Sequence, residues 1–432
     1  MNLEKSYLIK KLFYLVLIIS ILPFLYLFLD NSVYESYLSK TANITGFIGA
    51  VLVIWQFFLG IRGVVKRFNP DYDWAMKIHA FLGIYGSIFI FLHPILLAID
   101  RNNTISYMLL LNFSNEYETY VSYGKIAMFL FLVLWFTSSL VRKSLSYRSW
   151  LYIHYISYPM LFFVLLHPFQ IGSYLQEFSF IYTYWILLCI SAVLFMVLKL
   201  LDIFNLSFNK FRITNLTNLN KDIYTITYKP VNEKFSKIKP GQYFYLKKNF
   251  FGEAHPYSIL EYNDFTGEIT FGIKKLGKSS TLLGESKIGD IHFIDGPFGE
   301  FTFEAHNEDP KVILAGGIGI TPFYEVLTRY GNDQSYLLYA NKDLESALYR
   351  DKFKELLNER YFDFVEKLEG EKRNVFSGYI SSEKISEILK NKDLSSIKYF
   401  ICGSPGFTKG MIDLLKNLGI KRNKIFIEEF EY

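Results

Sequence analysis

The sequence has few of the residues that staple small folds or grip soft metals. Only two cysteines, Cys189 and Cys402, occur in 432 residues. One lies in an apolar run and the other near the C-terminus, so neither a disulfide framework nor a thiolate-bound metal or iron–sulfur centre finds support. Charge of one sign is also missing. The net charge is +5, spread along the chain, and no Lys/Arg-dense stretch is interleaved with aromatics, so nucleic acid is not an expected partner. No internal repeat or low-complexity tract stands out, and no D-x-[DN]-x-[DN]-G loop points to calcium control.

What is abundant is apolar surface. Hydrophobic residues make up 51% of the chain and aromatics 19%, too apolar for an ordinary soluble enzyme of this length. Six runs, near 12–29, 45–61, 74–98, 122–141, 150–168 and 178–201, each approach the ~20 residues needed to cross a bilayer. The first lacks a small-residue cleavage site before Asp30 and is expected to remain as a helix rather than be removed as a signal. Basic flanks set the topology. Lys5, Lys10 and Lys11 precede the first run, Arg62, Lys66 and Arg67 follow the second, and Arg142, Lys143 and Arg148 follow the fourth. By the positive-inside rule these ends are cytoplasmic, which places both termini in the cytosol of a multi-pass cell-membrane protein surrounded by lipid.

Near residue 203 the pattern changes. Short alternating segments, ITNLTN, IYTITYKP, GQYFYLKK, YSILEY, EITFGIKK and IHFIDGP, predict a small antiparallel barrel. From Lys311 onward, buried-type strands VILAGG, SYLLYAN, FDFVEKL, KYFICG and KIFIEEF alternate with helical stretches such as 345–358 and 406–418. That alternation predicts an α/β doubly wound parallel sheet. The expected fold is therefore a membrane α-helical bundle of six transmembrane helices (1–203), a β-barrel domain (204–306) and an α/β nucleotide-binding domain (307–432).

Four of the seven histidines fall inside proposed spans, where ionisable groups are costly. His79 and His93 lie fourteen residues apart on the third run, and His154 and His167 thirteen apart on the fifth. Each separation is about 20 Å along a helix. Both helices run in the same direction, so His79 shares a depth with His154, and His93 with His167. Fourteen residues make nearly four whole turns; thirteen make slightly more than three and a half, so the fifth helix must rotate or bend, with Pro159 as the expected cause. Two imidazole pairs stacked in an apolar bundle suit the axial positions of two b-type haems. Gly83 and Gly86 are expected to leave room for the porphyrin faces. For one lone histidine, a bond to a backbone carbonyl would suffice as explanation; two matched pairs point to metal.

In the second half, PGQY (240–243) and HPYS, His255, Pro256, Tyr257 and Ser258, have the makings of a flavin clamp. IKKLGKSST then gathers Lys274, Lys275, Gly277, Ser280 and Thr281 as cation, open backbone and hydroxyls for a pyrophosphate. VILAGGIGITPF is a strand entering a glycine-rich turn at Gly316, Gly317 and Gly319, followed by a helix opened by Thr321 and Pro322, a geometry that admits a phosphate. ICGSPGF repeats the logic at Cys402 and Gly403, so both turns should open on one edge. Asn341, Lys342 and Arg350 lie where a 2′-phosphate would fall, which favours NADPH over NADH. The chain ends EEFEY, where Phe430 or Tyr432 is placed to stack on a flavin.

Together these residues resemble the ferric reductase and NADPH oxidase superfamily, over residues 45 to 432. The resemblance implies that His79 and His154 hold an inner haem and His93 and His167 an outer one. It implies that the HPYS segment with Lys274 and Gly277 binds FAD, that Gly316 to Pro322 bind the nucleotide, and that Phe430 covers the flavin. Hydride transfer would occur beside Thr321 and Cys402. Two departures stand out: Lys274 stands where the family often has Arg, and Phe430 is followed by two more residues. The implied function is transfer of electrons from cytosolic NADPH through FAD and two haems to an outside acceptor, O2 giving superoxide or a ferric chelate, with no obligatory protein partner. A nucleotide-sensing proton channel without haem is the alternative from another class.

Overall fold

The computed structural model describes residues 3–29, 36–204, 208–232, 235, 237–250, 252–367, 373–390 and 392–429. Phe430 and Tyr432, with the acidic Asp30 and Glu35, lie outside the described residues. The chain divides into two compact units, one ending at Leu206 and the other beginning at Ser207.

Among the described residues the first unit contains six helices long and apolar enough to span a membrane: α1 (Glu4–Leu29), α2 (Tyr37–Leu59), α3 (Tyr72–Asp100), α4 (Glu116–Leu140), α5 (Tyr147–Ile171) and α6 (Ser179–Asp202). Large apolar side chains such as Ile84, Phe129, Leu187 and Leu194 stand exposed on its outside, as a lipid-facing surface requires. α2 is the buried axis: Ile44, Phe47, Val51 and Ile54 join its core. Its Gly46 and Gly49 let α3 approach closely, since a Cβ on Gly49 would lie 2.8 Å from Ile90 Cγ1. α5 is interrupted at Tyr155 and Ile156, between stretches Tyr147–His154 and Ser157–Leu166. Pro159 has no N–H to offer the Tyr155 carbonyl, and Tyr158 N bonds it instead at 3.1 Å. The bend expected from the histidine spacing therefore sits between the two histidines.

The second unit begins with a closed barrel of strand order β1-β2-β5-β4-β3-β6. Its strands are β1 (Asn209–Asn218), β2 (Ile223–Pro230), β3 (Tyr243–Lys247), β4 (His255–Tyr262), β5 (Ile269–Lys274) and β6 (Ile291–Phe298), with helix α7 (Lys278–Gly284) after β5. All six fall where alternating hydrophobicity puts them, because inward residues such as Phe211, Ile226, Phe244 and Phe271 fill one interior. A six-stranded parallel sheet follows in the order β10-β9-β8-β7-β11-β12. It comprises β7 (Lys311–Gly316), β8 (Ser335–Asn341), β9 (Tyr361–Val365), β10 (Val375–Ser377), β11 (Lys398–Gly403) and β12 (Ile425–Glu429). Between them run α8 (Thr321–Tyr330), α9 (Arg350–Leu357), α10 (Ser382–Ile388) and α11 (Pro405–Asn417). The three-residue β10 is an addition to the strands expected from the sequence; it is too short to carry a periodic signal. Successive strands step one way from β7 to β10, and then β11 returns to the other side of β7. This reversal creates a crevice beyond the carboxyl ends of β7 and β11.

Candidate functional sites

The histidines meet in the two pairs that their spacing predicts. The ring centres of His79 and His154 are 6.1 Å apart, and those of His93 and His167 are 6.2 Å apart. Two metal–nitrogen bonds of about 2 Å plus two ring radii of about 1.1 Å would give roughly 6.2 Å, so each separation matches that of two imidazoles sharing one metal. Backbone carbonyls of Gln56, Ala42 and Val164 accept hydrogen bonds from Nδ1 of His79, His93 and His167 at 3.0, 2.7 and 2.9 Å. His154 Nδ1 lies 3.4 Å from the Ser138 hydroxyl. A proton held on Nδ1 leaves the Nε2 lone pair as the donor to metal.

Among the described residues, no group of three His, Cys, Asp or Glu side chains forms a metal site. Two imidazoles alone would leave a bare ion short of ligands, whereas a porphyrin brings its own four nitrogens. The His93–His167 pair also borders a cavity of about 590 Å³ lined mainly by apolar side chains. The residues present fit haem. The glycines that make room differ from those expected. Gly83 and Gly86 face Gln56 and Leu52 of α2, whereas Cβ atoms on Gly46 and Gly124 would lie 2.7 Å from His93 Nδ1 and 3.3 Å from His167 Cδ2. Gly46 is the gap through which the His93 ring reaches the Ala42 carbonyl.

In the barrel, the two halves of the flavin clamp are neighbours: Tyr243 pairs with Ser258, and Tyr245 with Pro256. Burial pushes the Tyr257 hydroxyl up to about 12, opposed by a hydrogen bond with Ser279 at the start of α7. Ser279 thus stands near Tyr257, which brings the KSST segment beside HPYS. Among the described residues His255 Nε2 is shielded without a hydrogen bond, with the acid Glu253 at 3.7 Å. Open space surrounds the Cα of Gly277. An unsatisfied nitrogen and an open turn beside Lys274 fit a dinucleotide carrying a pyrophosphate. Ser280, in contrast, spends its hydroxyl locally, accepting from Leu276 N and Gly277 N at 3.0 and 3.1 Å. Thr281 is exposed on the first turn of α7.

At the crevice of the parallel sheet the two glycine turns touch, as strand pairing between Ala315 and Cys402 requires. Gly317 has φ +53°, and a Cβ on Gly319 would lie 2.3 Å from the Cys402 carbonyl oxygen. Gly316 and Gly403 together receive the ring of Phe407. Thr321 and Pro322 open α8; Thr321 Oγ1 donates to the Ile318 carbonyl at 3.0 Å, and its side chain is buried. Cys402 is fully buried, and burial together with neighbouring Glu428 holds its thiol well above the usual range, so it stays protonated. Among the described residues the shielded side-chain amide of Asn341, at the end of β8, forms no hydrogen bond of ordinary geometry, its polar neighbour being the Tyr339 hydroxyl, and Lys342 is exposed. Arg350, however, is ion-paired with buried Asp363 at 2.7 Å. A carboxylate with 1% exposure needs that cation, so Arg350 is engaged whereas Lys342 stands exposed.

Several contributors carry weaker sequence signals. Gly272 on β5 abuts Thr321, for a Cβ there would lie 2.9 Å from Thr321 Cγ2, and a glycine inside a strand is a readable sign of such an approach. Glu325 on α8 accepts from Tyr262 N at 3.4 Å and from Arg329 at 2.5 Å, while Arg329 donates to the Tyr262 carbonyl at 3.3 Å. Both ends of this clamp fix α8 against β4, and no motif announces it. Glu428 lies opposite Cys402 in the β11–β12 register.

With that geometry in view, comparisons with known proteins divide the chain in the same order. A ferric reductase like transmembrane component matches residues 45–165, an oxidoreductase FAD-binding domain matches 210–303, and an oxidoreductase NAD-binding domain matches 313–413. These three matches, in this order, match the arrangement of the ferric reductase and NADPH oxidase superfamily. The six apolar helices and these matches make the chain a multi-pass membrane protein whose C-terminal half carries the domains of an NAD(P)H oxidoreductase. Similar curated proteins include NADH-cytochrome b5 reductase 2 of Mycosarcoma maydis, 30% identical over 161 residues, 35% of this chain and 46% of that one. Another is the reductase component of propane 2-monooxygenase from Rhodococcus jostii (strain RHA1), 28% identical over 233 residues, 51% of this chain and 62% of that one. The chain therefore spans roughly half the length of these curated relatives. Among solved structures, a ferredoxin NADP+ reductase from Neisseria gonorrhoeae with bound FAD and NADP aligns with 52% of this chain and 98% of its own, at 20% identity and a TM-score of 0.44.

Proposed function

We propose that this chain moves electrons across the cell membrane from cytosolic NADPH, through FAD and two b-type haems, to an outside acceptor, O2 giving superoxide. The observation that carries the reading is the pair of matched imidazole gaps, 6.1 and 6.2 Å. The basic flanks of α1, α2 and α4 support cytoplasmic termini. When bound, the nicotinamide supplies electrons as a hydride, the flavin takes a pair and releases them singly, and the haem irons carry one at a time.

The chain's residues hold and orient. Tyr257 and Ser258 line the flavin ring, with the phenol protonated and able to donate. Lys274 and the open turn at Gly277 receive the pyrophosphate. Gly316, Gly317 and Gly319 bring backbone N–H groups to the nucleotide phosphates, and Lys342 meets the 2′-phosphate. Thr321 and protonated Cys402 stand beside the nicotinamide position without adding charge, and the resemblance gives Phe430 the role of covering the flavin. His79 with His154, and His93 with His167, present neutral nitrogens at two depths.

The test is the absorbance of the purified full chain in detergent. An oxidised Soret band that shifts when NADPH is added without oxygen is the expected result; a colourless protein overturns the reading in favour of a haem-free channel. A superoxide dismutase-sensitive cytochrome c assay beside a ferrozine assay assigns the acceptor: signal in the first supports O2, and signal in the second alone replaces it with a ferric chelate.

A further inference from the structure

Three of the four paired histidines donate Nδ1–H to a peptide carbonyl, two of them on α2 and one on α5 itself. His154 is the exception among the described residues. Its Nδ1 has the Ser138 hydroxyl of α4 as its partner, at 3.4 Å. A carbonyl is fixed by the backbone, whereas a hydroxyl swings about its Cα–Cβ bond and needs something to hold it.

The Trp150 indole does so. It lies one helical turn before His154, with ring centres 4.9 Å apart and planes inclined by 33°. Its Nε1 donates to Ser138 Oγ at 3.2 Å, so the indole and imidazole N–H groups share the two lone pairs of one oxygen. The indole is itself held, because the Arg142 guanidinium lies 4.5 Å from the centre of its ring. Ser138 reaches this position from an unusual turn. Over Phe136–Leu140 the end of α4 widens, and Val141 N bonds the Phe136 carbonyl, five residues back, at 3.2 Å. Such widened turns recur at functional sites. His154 also needs support more than the other rings, for it ends the stretch Tyr147–His154 immediately before the interruption of α5.

We propose that Ser138 and Trp150 are positioning residues for the His154 ligand: the hydroxyl sets the facing of the ring and draws on its Nδ1 proton, and the indole holds the hydroxyl. This rests on the haem reading above and deepens it. An acceptor that pulls on Nδ1–H makes the ring a stronger donor at Nε2, which favours oxidised iron. At 3.4 Å, with its oxygen shared, the hydroxyl pulls less than the carbonyls at 2.7 to 3.0 Å behind the other three rings. Ser138 is therefore the point at which the potential of the His79–His154 centre is adjusted without touching a ligand.

The test uses the full chain in detergent with Ser138→Ala, Ser138→Thr as the hydroxyl-preserving control, and Trp150→Phe, which keeps a ring beside His154 and loses the N–H. Haem content, a redox titration and the low-spin ferric EPR spectrum, which reports how two axial rings face each other, are measured beside turnover. In Ser138→Ala, one of the two haem centres is expected to show a reduced-to-oxidised ratio about threefold to tenfold higher at fixed potential, the worth of one hydrogen bond. Its EPR signal should shift while the other centre and the haem content stay as in the wild type, and Ser138→Thr should restore both readings. Trp150→Phe should broaden the same EPR signal, which keeps the proposal testable should Ser138→Ala fail to accumulate. Wild-type midpoints and EPR signals in Ser138→Ala and Trp150→Phe would overturn it. So would equal changes in both centres or a general loss of haem, which assign the two residues to packing of α4 on α5. If the wild-type protein itself contains no haem, the functional reading fails first and is recognised as a separate failure.

Discussion

The membrane half and the C-terminal half place their functional groups by different means. In the membrane half the groups are side chains, and their positions follow from helix period and from a carbonyl or hydroxyl acceptor for each imidazole. In the C-terminal half much of the site is bare backbone, exposed by glycines whose neighbours stand so close that a single carbon would collide. The first kind of site depends on spacing and on donors; the second depends on atoms that are absent. Substitutions should therefore fail differently in the two halves, by loss of a ligand in one and by steric intrusion in the other.

The sharpest break of this contrast is His79→Ala. Acceptor reduction is expected to fall to background and one haem signature to disappear, while NADPH still bleaches the flavin; preserved electron flow across the membrane would remove His79 from the ligand set. Next is Gly319→Ala, which forces a carbon within 2.3 Å of the Cys402 carbonyl oxygen. Its expected cost is about 3 kcal/mol of stability in the nucleotide domain, seen as earlier flavin release on heating with haem content unchanged. Glu325→Ala loosens the α8–β4 clamp without touching a cofactor. Flavin reduction, followed by stopped-flow absorbance, should slow by about tenfold to a hundredfold at full FAD content, because small misplacements of donor and acceptor are costly.

Smaller effects sharpen the comparison further. Lys342→Ala should raise the KM for NADPH about tenfold and leave NADH unchanged, the loss of one charge-assisted contact. Acidity should act on the C-terminal half through His292 and His306, whose imidazoles burial holds at about 4 rather than 6.5. The unfolded chain takes up protons below about 6.5 that the folded chain refuses until about 4. Stability from these two groups is therefore complete above 6.5 and is lost as pH falls across that interval. The melting temperature of flavin release should drop by a few degrees over the interval, and less in His306→Gln.

The same contrast explains what could be read in advance. Helix spacing announces the four histidines, because a period of 3.6 residues converts sequence distance directly into depth and facing. Alternation announces the six barrel strands, and glycine-rich turns after apolar strands announce the β7 and β11 crevice. Partnerships formed across the fold left no local trace. Arg350 looks like a phosphate ligand until β9 brings Asp363 to it, and Ser280 looks available until its own turn consumes the hydroxyl. Gly83 and Gly86 look like haem clearance because they share a helix with the histidines, yet they face α2. Gly46, which clears the His93 ring, lies on a helix with no histidine at all.

The interruption of α5 at Tyr155 and Ile156 means that His154 and His167 sit on separate rods joined at an articulated point. A continuous helix would lock the azimuth of one imidazole to that of the other, so tuning either ring would disturb both. With a joint between them, each ring plane can be adjusted on its own, so that under the proposed two-haem function the driving force between the centres would be adjustable one centre at a time.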